Sequence, residues 1–213
     1  MNDPDAWAFV AHRDLLAGDD VPSQLIKEVQ DARAEQIARA LGRQPTEDHL
    51  RGFAGPYCSS IIHDVNAVHG LLDEMGVATG DVIGAAWFAT SGGGHASLRL
   101  TPCDAVWSMA HVAVPDLADY LERVSLWFDD RLFELQFPAP DLNHQPTLLI
   151  EKRSDGHHAR AIQHRPSYAE AFVEELKGWW RAIVEGTPVR NTLEAARRDL
   201  ALLAALGRHA LKS

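Results

Sequence analysis

Apolar residues recur at helical spacing in two segments of the first half of the chain. Residues 24–41 carry Leu, Val and Ile four or eight positions apart, which predicts an amphipathic helix with Ser23 as its cap. Gly52 and Gly55-Pro56 then predict breaks in the chain. A second helix is predicted up to the C′ glycine Gly76, because a seam at intervals of four and three precedes it: Ile61, Val65, Val68, Leu72 and Met75.

Between residues 81 and 162 the helical period gives way to β-branched and aromatic runs, separated by Gly, Pro and Asp pairs. The clearest element is a β-hairpin over residues 120–137, because apolar and mostly polar residues alternate on both sides of Asp129-Asp130. Further strands are predicted over residues 82–90, 95–101, 105–114, 147–152 and 158–164. So many strands without an intervening helix predict a large, open, mostly antiparallel sheet.

Helical spacing returns after the strands, at Phe172, Leu176, Trp179 and Ile183. A last helix is predicted to begin with Asn191 and Glu194 in capping-box relation and to stop at Gly207. The order of helices, strands and helices predicts an α+β fold, with the helices packed on one face of the sheet. We predict one domain, with a helical lead-in (1–50), a site helix (51–80), the sheet (81–165) and closing helices (166–213).

Composition narrows the classes of partner. With 213 residues, of which 46% are hydrophobic, a single core can form without disulfides or metal. Lys+Arg 20 against Asp+Glu 30 gives a net charge of -10, and the absence of a basic run argues against nucleic acid and membrane surfaces as partners. Cys58 and Cys103 lack C-x-x-C spacing, which is typical of reduced thiols. These features, with an acidic N-terminus and no long apolar run, predict a cytoplasmic protein.

Two motifs resemble a known family. The run S-S-I-I-H-D-V-N-A-V, from Ser59 to Val68, is similar to the start of the C-terminal-domain helix in Gfo/Idh/MocA oxidoreductases, where a His precedes an acidic residue and an apolar seam. Residues 172–200 resemble the closing pattern of that family: a helix, a Gly-x-Pro break and a helix ending Ala-x-x-Asp-Leu. The resemblance covers residues 52–203. It implies a substrate-binding domain for a sugar-like or polyhydroxylated small molecule.

The other half of such an oxidoreductase is not found in this sequence. Family members usually begin with a Rossmann domain of about 120 residues, which carries G-x-G-x-x-G and later a Glu-Lys-Pro. The glycine cluster at residues 92–94 precedes a strand-like run, whereas a dinucleotide fingerprint must open a helix. We therefore expect that the chain alone binds no cofactor and that NAD(P), if used, is held by a separate Rossmann subunit.

The resemblance makes His63 the candidate catalytic acid/base. The matching His of the family often follows an Asp by four positions, and here that position is Ser59, which cannot orient an imidazole as a carboxylate does. On a helical wheel His63 lies opposite the apolar seam, and the dipole of a helix start would favour its neutral form. The neighbouring Asp64 is expected to stabilise the first turn of the helix by interacting with free N–H groups.

The candidate substrate-binding residues belong to a polar, partly aromatic set: His144, Arg13, Asp14, Tyr57, Ser59, His95 and Trp107. No metal site is predicted, because His63 and His69 are six residues apart and point to different faces of a helix. His157 and His158 are adjacent and point to opposite sides of a strand.

Three functions remain open. The first is a substrate-binding subunit of a split NAD(P)-dependent oxidoreductase. The second is a cofactor-independent lyase, isomerase or cyclase that uses His63 as acid/base. The third is a non-catalytic binding or scaffold protein. In each case an apolar sheet face predicts a homo-oligomer, supported by the alternation at Val124, Leu126, Phe128, Phe133, Leu135 and Phe137, while Trp127 serves the opposite face.

Overall fold

The computed structural model describes residues 21–88, 93–112, 119–139, 142 and 144–212. The helical elements are α1 (Ser23–Leu41), α2 (Glu47–Gly52), a π-helical segment (Phe53–Ile61), α3 (Ile62–Glu74), α4 (Ala171–Val184) and α5 (Leu193–Ala210). The strands are β1 (Ala78–Trp87), β2 (Gly94–Thr101), β3 (Ala105–His111), β4 (Glu122–Trp127), β5 (Arg131–Phe137), β6 (Leu148–Asp155) and β7 (His158–His164). The predicted α+β class is confirmed.

The strands pair antiparallel throughout the described residues, as predicted. They form two sheets, however, a three-stranded one with order β1-β2-β3 and a four-stranded one with order β4-β5-β6-β7. The prediction of one large sheet is corrected here. Alternation along a strand indicates which of its faces is apolar, but it contains no information on which strands become neighbours.

The helical layer is more continuous than the glycines and the proline predicted. The expected breaks at Gly52 and Gly55-Pro56 are wrong, because α2, the π-helical segment and α3 follow one another without interruption. A π-helix has wide turns, so residues four apart share one face. Phe53, Tyr57 and Ile61 are spaced in this way, and all three are buried. Their burial accounts for a helix that propensity alone disfavours.

The hydrophobic core lies between the helices and the first sheet. Its buried residues come from α1, the π-helical segment, α3, β1, β2 and α5: Ile37, Leu41, Phe53, Tyr57, Ile61, Val65, Ala85, Ala96, Leu98, Leu203, Ala204 and Leu206. The helices thus cover one face of the first sheet. Neither α4 nor any strand of the second sheet contributes a buried apolar residue.

Three predicted helix ends are corrected. Pro22 rather than Ser23 occupies the N-cap of α1. Thr192 rather than Asn191 caps α5, and its hydroxyl accepts a hydrogen bond of 3.1 Å from the backbone N–H of Ala195. Helix α5 also passes through Gly207 and continues to Ala210. Gly207 is buried, so its missing side chain serves close packing rather than helix termination.

Candidate functional site

Three ionisable side chains meet where α3 begins and β4 begins. His63 is exposed and Asp64 is half-buried on α3, and the carboxyl group of Asp64 is hydrogen-bonded to that of Glu122, the first residue of β4. Burial and the neighbouring Glu122 raise the pKa of Asp64 to about 6, against a smaller lowering effect of His63. Burial and, to a lesser extent, the second carboxyl group beside it both disfavour the ionised form of Asp64.

Tyr120 extends this group of residues. Its phenolic O–H donates a hydrogen bond to Oε2 of Glu122. A carboxyl group of raised pKa, a second carboxyl that accepts from a phenol and an accessible imidazole form an acid/base site in chemical terms. We call His63, Asp64, Tyr120 and Glu122 the carboxyl cluster.

The structure changes the electrostatic reasoning about His63 and Asp64. Neither residue stands at a free helix start, because the π-helical segment precedes α3 and the N–H of Ile62 already donates to carbonyl oxygens of Tyr57 and Ser60. The predicted effect of a helix dipole on His63 therefore has no basis. The predicted interaction of Asp64 with free N–H groups is likewise wrong, and its partner is the carboxyl of Glu122.

Two predicted residues lie in the π-helical segment, and neither has an evident role in the carboxyl cluster. The hydroxyl of Ser59 donates to the backbone carbonyl of Gly55. Tyr57 is fully buried, with its ring centroid 6.4 Å from that of Phe53 and 6.2 Å from that of Trp87. Burial raises the pKa of Tyr57 to about 12, with the indole of Trp87 opposing the shift. These contacts make Tyr57 a core residue.

His95 and Trp107 lie on opposite faces of the first sheet. Trp107 pairs with Leu98, whose side chain is in the core, whereas His95 is exposed three residues earlier on the same strand. The ring of His95 lies 5.9 Å from that of Phe88, and the ring of Trp107 contacts His69 edge-on at 5.8 Å. The two predicted residues therefore do not line one pocket.

His144 belongs to a separate surface. Its side chain is 82% exposed, and Nδ1 lies 3.5 Å from Oε1 of Glu170. An open pocket of about 460 Å³ lies beside it, lined by His144, Gln145, Pro146, Leu148, Arg165 and Tyr168. The remaining two predicted residues, Arg13 and Asp14, lie outside the described residues.

A second group of polar residues, which the sequence did not predict, links α3 to α5 inside the core. Nδ1 of His69 lies 2.5 Å from Oδ1 of Asp199, and the amide of Asn66 donates a 2.7 Å hydrogen bond to Oδ2 of Asp199. Nε2 of His69 is buried and has no hydrogen-bond partner among the described residues. None of these three side chains lines the pocket beside His144, and His69 and Asp199 are buried. We therefore regard the group as a structural link between two helices.

Sequence reasoning also missed Tyr120 and Glu122. Both lie in a strand-like run where a lone acidic residue is ordinary, and only the fold brings them to α3. Asp199 was part of the Ala-x-x-Asp-Leu motif, but a helical pattern cannot identify a histidine on another helix as its partner. The signal that could have found the carboxyl cluster was Asp64 itself, because it directly follows the candidate His63.

Comparison of the chain with known protein families, with curated proteins and with solved structures finds no match. Within the described ranges, no helix has the length and apolar composition needed to cross a bilayer. In the same ranges, no three His, Cys, Asp or Glu side chains come together as a potential metal site.

Proposed function

We propose that this chain is the substrate-binding subunit of an oxidoreductase that acts on a sugar-like or polyhydroxylated small molecule. The observation that carries the proposal is the hydrogen-bonded carboxyl groups of Asp64 and Glu122 beside the exposed His63, a setting that raises the pKa of Asp64 to about 6. An acid/base group works best when its pKa is near the operating pH, and burial next to a second carboxyl is a recurrent way to reach that range.

Each member of the carboxyl cluster has a distinct part in the proposed chemistry. Oxidation of a secondary alcohol removes a hydride from carbon and a proton from oxygen, which leaves a carbonyl group. His63, whose imidazole is exposed, contacts the substrate hydroxyl, and the Asp64–Glu122 pair takes up the proton. Tyr120 holds Glu122 in place through its hydrogen bond. NAD(P) bound to a separate Rossmann subunit would accept the hydride.

The second candidate is a cofactor-independent isomerase, lyase or cyclase. It is favoured by the fact that one cluster holds both a carboxyl group of raised pKa and an accessible imidazole, so it could remove a proton from carbon next to a carbonyl and return it elsewhere. This reaction needs no hydride acceptor. The exchange of substrate hydrogen with solvent distinguishes the two candidates.

Ligand-observed NMR with the purified chain tests both candidates. The probes are inositol, glucose, gluconate and keto sugars, recorded in deuterated water without nicotinamide cofactor. We expect binding by the native chain and a loss of about tenfold or more in affinity or rate in Asp64→Asn and Glu122→Gln. Asp104→Asn, in the turn after β2, is the matched control. Equal behaviour of all three variants would overturn the proposed site.

The isotope pattern then separates the functions. Deuterium incorporation next to the carbonyl without cofactor identifies the isomerase or lyase reaction. Binding without incorporation supports the split oxidoreductase. A neighbouring gene for a Rossmann chain of about 120 residues ending near a Glu-Lys-Pro would provide the partner for a reconstituted assay. Binding of none of the probes would contradict the proposed substrate class.

A further inference from the structure

Helix α4 presents an apolar face that no other described part of the chain covers. No residue of α4 is buried. Seven apolar residues recur at intervals of three and four, which places them on one face of the helix. Their exposed fractions lie between 41% and 66%: Phe172, Val173, Leu176, Trp179, Trp180, Ile183 and Val184. We call these residues the α4 stripe. Three of the seven are aromatic, so this is the largest concentration of exposed aromatic side chains on any one described element.

The size of the α4 stripe indicates a partner. Taking about 200 Å² for an aromatic side chain and somewhat less for an aliphatic one, the exposed part amounts to on the order of 700 Å². Exposed apolar patches on monomeric proteins usually reach about 300–600 Å². A standard protein interface buries about 800 Å² on each side. A 14-residue helix is also marginal in water without tertiary packing.

We propose that the α4 stripe is a homodimer interface, in which α4 packs antiparallel against α4 of a second copy of this chain. The sequence of the helix is self-complementary in that arrangement. A two-fold axis between Lys177 and Gly178 sets Phe172 opposite Ile183 of the second copy, and Leu176 opposite its Trp179. Apart from Trp180, which lies opposite Glu175, every residue of the α4 stripe then meets an apolar residue of the second copy, as an isologous interface requires.

The charge of α4 does not oppose a second copy as the occupant. Two chains that each carry a net charge of -10 repel one another over most of their surface. On α4, Glu174 and Glu175 are balanced by Lys177 and Arg181, and Lys177 already forms a 2.8 Å ion pair with Glu174. The helix is therefore a neutral surface through which two acidic copies can approach.

This interface differs from the sheet face expected from the sequence. The apolar alternation of β4 and β5 lies on the second sheet, whose Leu135 and Phe133 pair with Val124 and Leu126. None of these residues belongs to α4. Substitutions on α4 and on the sheet therefore test the two interfaces separately.

Light scattering and sedimentation of the full chain test the proposal. We expect the native chain to be dimeric at about 10 µM, and Leu176→Glu and Ile183→Glu each to weaken dimerisation by about tenfold or more. The matched control is Leu193→Glu, since Leu193 is 87% exposed at the start of α5. Far-ultraviolet circular dichroism checks that each variant keeps its fold. A monomeric native chain would overturn the proposal, as would a dimer unaffected by both α4 substitutions.

Cysteine cross-linking tests the antiparallel register. Phe172→Cys and Ile183→Cys are prepared as two proteins, each with Cys103→Ser to remove the exposed native thiol. The antiparallel pair predicts that a disulfide-linked species forms on mixing and that neither protein alone forms it efficiently. Efficient cross-linking of each protein with itself would indicate a parallel pair and overturn the proposed register.

Discussion

The Nδ1 atom of His69 lies 2.5 Å from Oδ1 of Asp199, and the two side chains are only 4% and 2% exposed. The pair joins α3, which carries His63 and Asp64, to α5, which covers β1 of the first sheet. Removing one member of a buried pair leaves the other without compensation, and this commonly lowers stability by about 3–5 kcal/mol.

We therefore expect His69→Ala to lower the free energy of unfolding by about 3 kcal/mol or more, measured by urea denaturation. His63→Ala is the matched control, because His63 lies on the same helix but is exposed, and its effect should stay within about 0.5 kcal/mol. If both variants have the same urea midpoint of unfolding as the native chain, the link between the two helices does not stabilise the fold.

Asp64 should make stability depend on pH. Its pKa rises from 3.8 to about 6 on folding, so the protonated carboxyl stabilises the folded state. That contribution is complete below pH 4 and is lost as the pH rises through about 6. The amide of Asp64→Asn does not titrate, so this variant does not lose that contribution. Its free energy of unfolding should therefore increase relative to that of the native chain as the pH rises from about 4 to about 6. Urea denaturation across this range, with the exposed Asp104→Asn as control, measures the difference. A difference in the free energy of unfolding between Asp64→Asn and the native chain that does not change with pH would contradict the raised pKa.

Gly207 should tolerate no side chain. A Cβ at this position would lie 2.7 Å from Cδ2 of Leu41 and 3.1 Å from Cδ2 of Phe53. Gly207→Ala is therefore expected to lower stability by about 1–3 kcal/mol despite the better helix propensity of alanine. Gly70→Ala, in α3 with nothing within 4 Å of the new Cβ, should instead raise stability by about 0.5–1 kcal/mol. Thermal melting of both variants compares them, and the same sign for both would refute the packing argument.

His63 should separate fold from function. If it is an acid/base of the carboxyl cluster, His63→Gln should lower the rate by about 10²–10⁴ and leave the melting temperature nearly unchanged. The assay is the isotope exchange or the reconstituted oxidation described above. Full activity in this variant would place the chemistry elsewhere.

The isolated chain should bind neither NAD nor NADP with useful affinity, since the sequence offers no dinucleotide fingerprint. Titration calorimetry measures this directly. A micromolar dissociation constant for either cofactor would contradict the prediction and would require another mode of nucleotide binding.

Local pattern predicted much of the fold and little of the candidate site. The seam that ends at Met75 identified α3, and alternation about Asp129-Asp130 identified the β4–β5 hairpin, because both signals depend on nearest neighbours. The π-helical segment across Gly55-Pro56 was missed because its stability comes from core contacts of Phe53 and Tyr57 rather than from propensity. The division into two sheets was missed for a related reason, since strand order is a long-range property.

The carboxyl cluster shows the same limit at the level of chemistry. His63 was singled out through a resemblance, and Asp64 was assigned to helix stabilisation. The interaction that raises the pKa of Asp64 comes from Glu122, which is adjacent only in three dimensions. A carboxyl pair formed across two elements leaves no spacing motif in the sequence.

The uneven distribution of buried apolar residues has a consequence for local opening. The core joins the helical layer to β1 and β2, whereas β7 is exposed along its whole length and α4 buries nothing. Amide protons of β7 and α4 should therefore exchange with solvent through sub-global opening, well before those of α3 and β2. If a second copy covers α4, the amide protons of this helix should exchange more slowly at high protein concentration than after dilution. The exchange of β7 should not change with concentration.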